Sequence, residues 1–135
     1  MTVGLAMVAA ALGAGGAQAA DSTDLGEARQ LVVRFVDAFN ARDARAFSSL
    51  IAAEATIGRN DIEGPMTLAS VEIFTRGCRL RDIANAARTT LPSGRAVTAV
   101  DTHWGCPAGA PAAMRMEFDI ADGRIVSAYN GAPLR

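Results

Sequence analysis

Hydrophobic and polar positions along the chain change their period once, from helical spacing in the first half to strand alternation in the second. Between residues 25 and 41 the apolar side chains Leu31, Val32, Phe35, Val36 and Phe39 recur at the spacing of one helix face, with Arg29, Arg34, Asp37 and Asn40 mostly elsewhere. Asp24 and Glu27 sit where a helix start needs a cap and a residue reaching back to it. Asp43 can cap a second short helix whose Phe47, Leu50 and Ile51 share a face, and Ala55-Thr56-Ile57 then reads as a short strand followed by a loop from Gly58 to Pro65. Met66 to Arg76 fits a short helix through Leu68, Val71 and Phe74, although Val71, Ile73 and Thr75 also suit a strand.

From Cys78 onward the pattern is antiparallel sheet. Arg79–Leu91 and Arg95–Cys106 flank Pro92-Ser93-Gly94, whose Pro and Gly suit a turn. Within the second of these strands Thr98, Val100, Thr102 and Trp104 form the better core face, which leaves Val97, Ala99, Asp101 and His103 on the other. A Pro-, Gly- and Ala-rich stretch from Gly105 to Ala113 leads to a second hairpin. There Met114, Met116, Phe118 and Ile120 alternate with Arg115, Glu117 and Asp119 before a two-residue Asp122-Gly123 turn. Pairing Ala121 with Arg124 sets Ile120 opposite Ile125, Phe118 opposite Ser127 and Met116 opposite Tyr129, so that Ser127 and Tyr129 are expected to point inward.

A length of 135 residues, half of them apolar, suits one domain with one core. The 13 basic residues nearly balance the 14 acidic ones, so the basic stripe that neutralises phosphates is missing and nucleic acid is not an expected partner. All the basic side chains are Arg, which excludes a lysine Schiff base. The first twenty residues carry no charged side chain, and Val3 to Leu12 form an apolar run followed by small residues through Ala17 and Ala19. This reads as a signal peptide over residues 1–19, leaving a single domain at 20–135 in the periplasm or outside the cell, with no membrane span retained.

In an exported chain the only two cysteines, Cys78 and Cys106, suggest a disulfide, and folding the strands about Pro92-Ser93-Gly94 brings them side by side. A metal site of Cys78, His103 and Cys106 competes with it, but His103 and Cys106 point to opposite faces of a regular strand, so no metal is expected.

The order of two helices, a short strand, a third helix and then long hairpins resembles that of the nuclear transport factor 2-like, SnoaL-like superfamily. The stretch Phe35-Val36-Asp37-Ala38-Phe39-Asn40-Ala41-Arg42-Asp43 with Phe47, Leu50 and Ala55-Thr56-Ile57 looks like its opening. Met116-Glu117-Phe118-Asp119-Ile120-Ala121-Asp122-Gly123-Arg124-Ile125 looks like its last hairpin. The resemblance implies an α+β fold in which N-terminal helices pack in a strongly curved, mostly antiparallel sheet, a cystatin-like cone with a pocket, and a homodimer paired through the sheet. Some members are isomerases, dehydratases, hydrolases or cyclases, and others have no assigned activity, so fold alone does not supply function. Where a ketosteroid isomerase-like member would hold its carboxylate base, this chain has Ile57-Gly58-Arg59, with Asp61 as the nearest substitute.

The expected pocket walls are Phe35, Phe39, Trp104, Met116 and Phe118, with Ser127 and Tyr129 as polar handles, a composition suited to a small apolar molecule and calling for no cofactor. Arg59, Arg76, Arg79 and Arg81 are candidates for an anionic ligand, against the ordinary reading of solvated surface arginines. The competing functional reading is a small lyase, isomerase or hydrolase using His103, with Asp101 or Tyr129 as its acid-base partner. That reading requires His103 to face the cavity.

Overall fold

The computed structural model describes residues 24–60, 62–108 and 113–131. The expected signal segment at 1–19 with its cut after Ala19 lies outside the described residues, as do Asp61 and 109–112 of the connector. The elements are α1 (Leu25–Asn40), α2 (Ala44–Leu50), β1 (Ile51–Arg59), β2 (Ile62–Pro65), α3 (Leu68–Thr75), β3 (Arg79–Thr90), β4 (Ala96–Gly105), β5 (Ala113–Ala121) and β6 (Arg124–Asn130). The strands make one curved, unclosed sheet in the order β2-β1-β6-β5-β4-β3, with β1 parallel to β6 and the other pairs antiparallel. Helices packed against that sheet give the expected α+β architecture.

Helix starts follow their caps. Asp24 accepts from the backbone N–H of Gly26 at 3.3 Å, and Asp43 from that of Ala46 at 3.1 Å. A reciprocal capping box forms at α3, where Thr67 and Ser70 each bond the other's backbone N–H. From α1 the side chains of Ala28, Leu31, Val32, Phe35, Val36, Ala38 and Phe39 are buried in the main core. The facing wall is built by cross-strand pairs of β4 and β5: Val100 with Phe118, Thr102 with Met116, and Trp104 with Met114. The Phe35 ring lies 5.1 Å from Phe47 and 5.3 Å, edge-on, from Phe118.

Three departures from simple alternation shape this sheet. Continued unbroken from Thr90↔Ala96, the β3–β4 register would set Cys78 opposite Ala108. One-residue slips between Leu80 and Asp82 and between Ile83 and Asn85 bring it instead to Cys106, to which it is bridged. The cysteines are therefore not available as thiolate ligands to a metal. Converting both to serine is expected to cost about 3 kcal/mol, because the bridge restrains the unfolded chain across its 28-residue separation. A urea midpoint unchanged in the double variant under oxidising conditions would show that the bridge contributes nothing.

The stretch from Gly58 to Pro65, expected as loop, is instead a turn between two strands, since β1 runs on to Arg59 and Ile62–Pro65 pairs with it as an edge. Pro65 is tolerated because an edge strand does not need every N–H. Gly58 lets the two strands approach, as a Cβ there would stand 2.7 Å from the Ile62 carbonyl oxygen. Ile51 likewise belongs to β1 and not to the face of the second helix.

The third departure corrects the last hairpin. Ala121↔Arg124 and Ile120↔Ile125 pair as the Asp-Gly turn requires, but the next pair is Asp119↔Ser127, with Val126 as the extra residue of a bulge. Ser127 and Tyr129 thus lie opposite Asp119 and Glu117, on the outer face of the sheet, and not opposite Phe118 and Met116 on the inner one.

Candidate functional site

The interior of the cone is filled by side chains. Phe35, Phe39, Trp104, Met116 and Phe118 are all buried, none more than 5% exposed. Their few polar neighbours satisfy one another: the Trp104 Nε1–H donates to Thr102 Oγ1 at 2.7 Å, and Thr102 in turn donates to the Met116 carbonyl at 2.7 Å. These five residues come together, as the sequence suggests, around aromatic contacts.

Larger but shallower hollows lie along α1, beside Leu31 and Arg34, and between α1 and α2. The most apolar enclosed recess is at the rim, where the end of β1, the C-terminus of α3, the start of β5 and the end of β6 converge. A cleft of about 250 Å³ there is lined by Arg59, Phe74, Thr75, Arg76, the Cys78–Cys106 bridge, Met114, Arg115, Asn130 and Gly131. Phe74, Met114 and the disulfide supply apolar surface. Asn130 ties the walls together, its Nδ2 donating to the Phe74 carbonyl at 2.7 Å and lying 3.1 Å from the Met114 sulfur. Arg76 ends α3 in the left-handed conformation, with φ 51°.

On the outer face the structure separates the expected acid-base residues. The His103 Nδ1 stands 3.2 Å from Asp82 across the β3–β4 ladder, with about half its side chain in solvent. Asp101 is engaged by Arg115 at 3.3 Å. Tyr129 donates from its hydroxyl to Glu63 at 3.3 Å, and burial followed by the charge of Glu63 raises its pKa above the usual phenol value. His103, Asp101 and Tyr129 therefore have three different carboxylate or guanidinium partners and form no shared dyad. His103 faces away from the cone.

The outer face holds one group that sequence reasoning did not single out. Asp119 is completely buried and accepts a 2.7 Å hydrogen bond from Ser127 Oγ. Burial pushes its carboxyl up to about 7, and the nearby Asp101 adds to the rise while the Ser127 bond opposes it. Alternation does not distinguish it, because Arg115 on the same strand and His103 on its neighbour share that outer face and stay exposed.

Of the arginines named for an anion, Arg59 and Arg76 line the cleft, whereas Arg79 and Arg81 belong to the exposed edge strand β3, where Arg81 packs over Gly105. Phe74, Met114, Arg115 and Asn130 were not foreseen as neighbours, because they come from three separate elements. No helix among the described residues is long and apolar enough to cross a membrane.

No family model matches the chain, and no curated protein matches it in sequence. Solved structures do. A nuclear transport factor 2-like protein of unknown function from Shewanella oneidensis MR-1 is 14% identical, with 78% of this chain and 96% of that one covered and a TM-score of 0.53. A de novo designed protein with a curved β-sheet is 11% identical over 80% of this chain and 86% of its own, with a TM-score of 0.55. A candidate polyketide cyclase from Pseudomonas putida KT2440 is 25% identical, covering 79% and 92%, at a TM-score of 0.40, too low to bear on function. The chain has the cone fold of the nuclear transport factor 2-like proteins.

Proposed function

We propose that the protein is an exported binding domain that holds a small, largely apolar molecule in the cleft at the mouth of its cone. The observation that carries this reading is the rim cleft itself, an apolar recess of Phe74, Met114 and the disulfide set beside a filled interior. Pockets of this make-up, mostly apolar with a few placed polar groups, are the usual form of small-molecule sites. Export is supported by the Cys78–Cys106 bridge, since thiols stay reduced in a cytosol, together with the uncharged N-terminal sequence. Catalysis by His103 is not favoured, because its ring lies on the outer face against Asp82.

Native mass spectrometry of the chain recovered from a bacterial periplasm tests the proposal. A discrete extra mass, retained on the folded chain and lost on unfolding, is the expected result, and the same spectra report whether the chain pairs with a second copy. Bare protein in repeated preparations, with no small apolar probe retained when added, would overturn it.

A further inference from the structure

We propose that the molecule held in the rim cleft is an anionic amphiphile, a carboxylate on a short apolar body, with its charge on Arg59 and Arg76. The inference rests on the binding reading above and narrows it to a chemical class.

Among the described residues the charged side chains lining the cleft are Arg59, Arg76 and Arg115, with no carboxylate. That bias is local, because the chain as a whole carries a net charge of only −1. Elsewhere several arginines face acids: Arg42 meets Glu72, Arg95 meets Asp122, and Arg115 itself turns to Asp101 on the outer side. Among the described residues neither Arg59 nor Arg76 has an ion-pair partner.

The remaining polar groups of the cleft point the same way. Four carbonyls near the end of α3 are already engaged: Val71 by the Thr75 hydroxyl, Glu72 by the N–H of Arg76, Phe74 by Asn130, and Thr75 by the N–H of Cys78. Thr75 spends its hydroxyl proton inside the helix and Asn130 spends its amide on the wall. Apart from the Asn130 Oδ1 acceptor, what the cleft still offers is guanidinium N–H, which can donate but never accept. A fitting ligand therefore brings acceptors, and a carboxylate matches the planar guanidinium fork in two parallel bonds. Beside the arginines the surface is Phe74, Met114 and the disulfide, which suits a ring or short chain and not a bare ion. A volume of about 250 Å³ lies just under the roughly 300 Å³ at which drug-sized pockets begin. The body is thus small.

Calorimetric titration of the oxidised chain with benzoate and octanoate, their neutral amides, and inorganic phosphate tests the assignment. The acids are expected to bind about ten- to a hundredfold more tightly than the amides, as charge-assisted bonds do, and to weaken as salt is added. In Arg59→Gln/Arg76→Gln the preference should vanish while the residual affinity for acid and amide becomes equal, and Arg59→Lys/Arg76→Lys should restore part of it. A circular dichroism melt close to that of the parent chain establishes that the variant is folded. Amides bound as well as acids by the parent chain would overturn the anionic assignment and leave the small-molecule reading standing. Phosphate bound as tightly as the acids would overturn the amphiphile in favour of a simple anion site. Failure of every probe would overturn both.

Discussion

Replacing Asp119 with asparagine is expected to stabilise the folded chain at pH 8 by up to about 4 kcal/mol and to leave it nearly unchanged at pH 4. Asp119 lies on β5, inside the sheet, with none of its surface in solvent, and its carboxyl is held up to about 7 in place of the usual 3.8. Desolvation is the main cause, Asp101 adds repulsion, and the hydrogen bond from Ser127 works against both. Well below pH 3.8 the group is protonated whether the chain is folded or not, and at pH 4 only a small part of the penalty has appeared. Between about 4 and 7 the folded chain binds the proton that the unfolded chain has released, and stability falls as pH rises. Above 7 the full penalty applies. At about 1.4 kcal/mol per decade, the displacement from 3.8 to about 7 sets the upper bound of about 4 kcal/mol. Asparagine keeps an acceptor for Ser127 and never ionises. Urea unfolding of both chains at pH 4 and pH 8 measures the effect. A difference between the two chains that is the same at both pH values would mean that Asp119 does not titrate in the folded state across this window.

Phe118→Ala should cost about 3–5 kcal/mol, a large part of the 5–15 kcal/mol that holds a typical domain folded. The ring is fully buried, meets Phe35 edge-on at 5.3 Å, and pairs across the sheet with Val100 and Ala128. Its removal leaves a void beneath α1 that the neighbouring strands cannot close without breaking their ladders. Phe118→Leu, which retains most of the volume, should lose only about 1.5 kcal/mol. The urea midpoints of the three chains check the series. A loss below about 1 kcal/mol for alanine would mean that the interior is not tightly packed around this ring, and would return the expected ligand site to the middle of the cone.

The fold was largely legible in the sequence, and its failures have local causes. Helical spacing identifies α1 because Leu31, Val32, Phe35, Val36 and Phe39 all answer to one buried face. Alternation identifies β4 and β5 because their inner residues, from Thr98 to Trp104 and from Met116 to Ile120, face one core. The bulge at Val126 left no such mark. An extra residue changes neither composition nor hydrophobicity, and Val126 suits a regular strand equally well. The strand β2 was hidden because Gly64 and Pro65 are turn-forming residues that an edge position happens to accept. For the rim cleft, the sequence offered Arg59 and Arg76 as isolated possibilities. Their convergence on Phe74, Met114 and Asn130 depends on the parallel pairing of β1 with β6, a contact between distant parts of the chain that no local pattern encodes.

A strand is ordinarily a poor place to gain or lose one residue, because every side chain beyond the change moves to the opposite side of the sheet. The bulge makes β6 an exception. Val126 has no counterpart on β5, while Ile125 and Ser127, on either side of it, already face opposite ways. A relative lacking this one residue would keep Ile125 toward the core and Ser127 beside Asp119, losing only a bend and the contact of Val126 with Val97 and Ala121. Length can therefore drift by one at this point with both faces preserved, and comparing such chains by alternation alone would place Tyr129 and its equivalent on opposite sides of the same sheet.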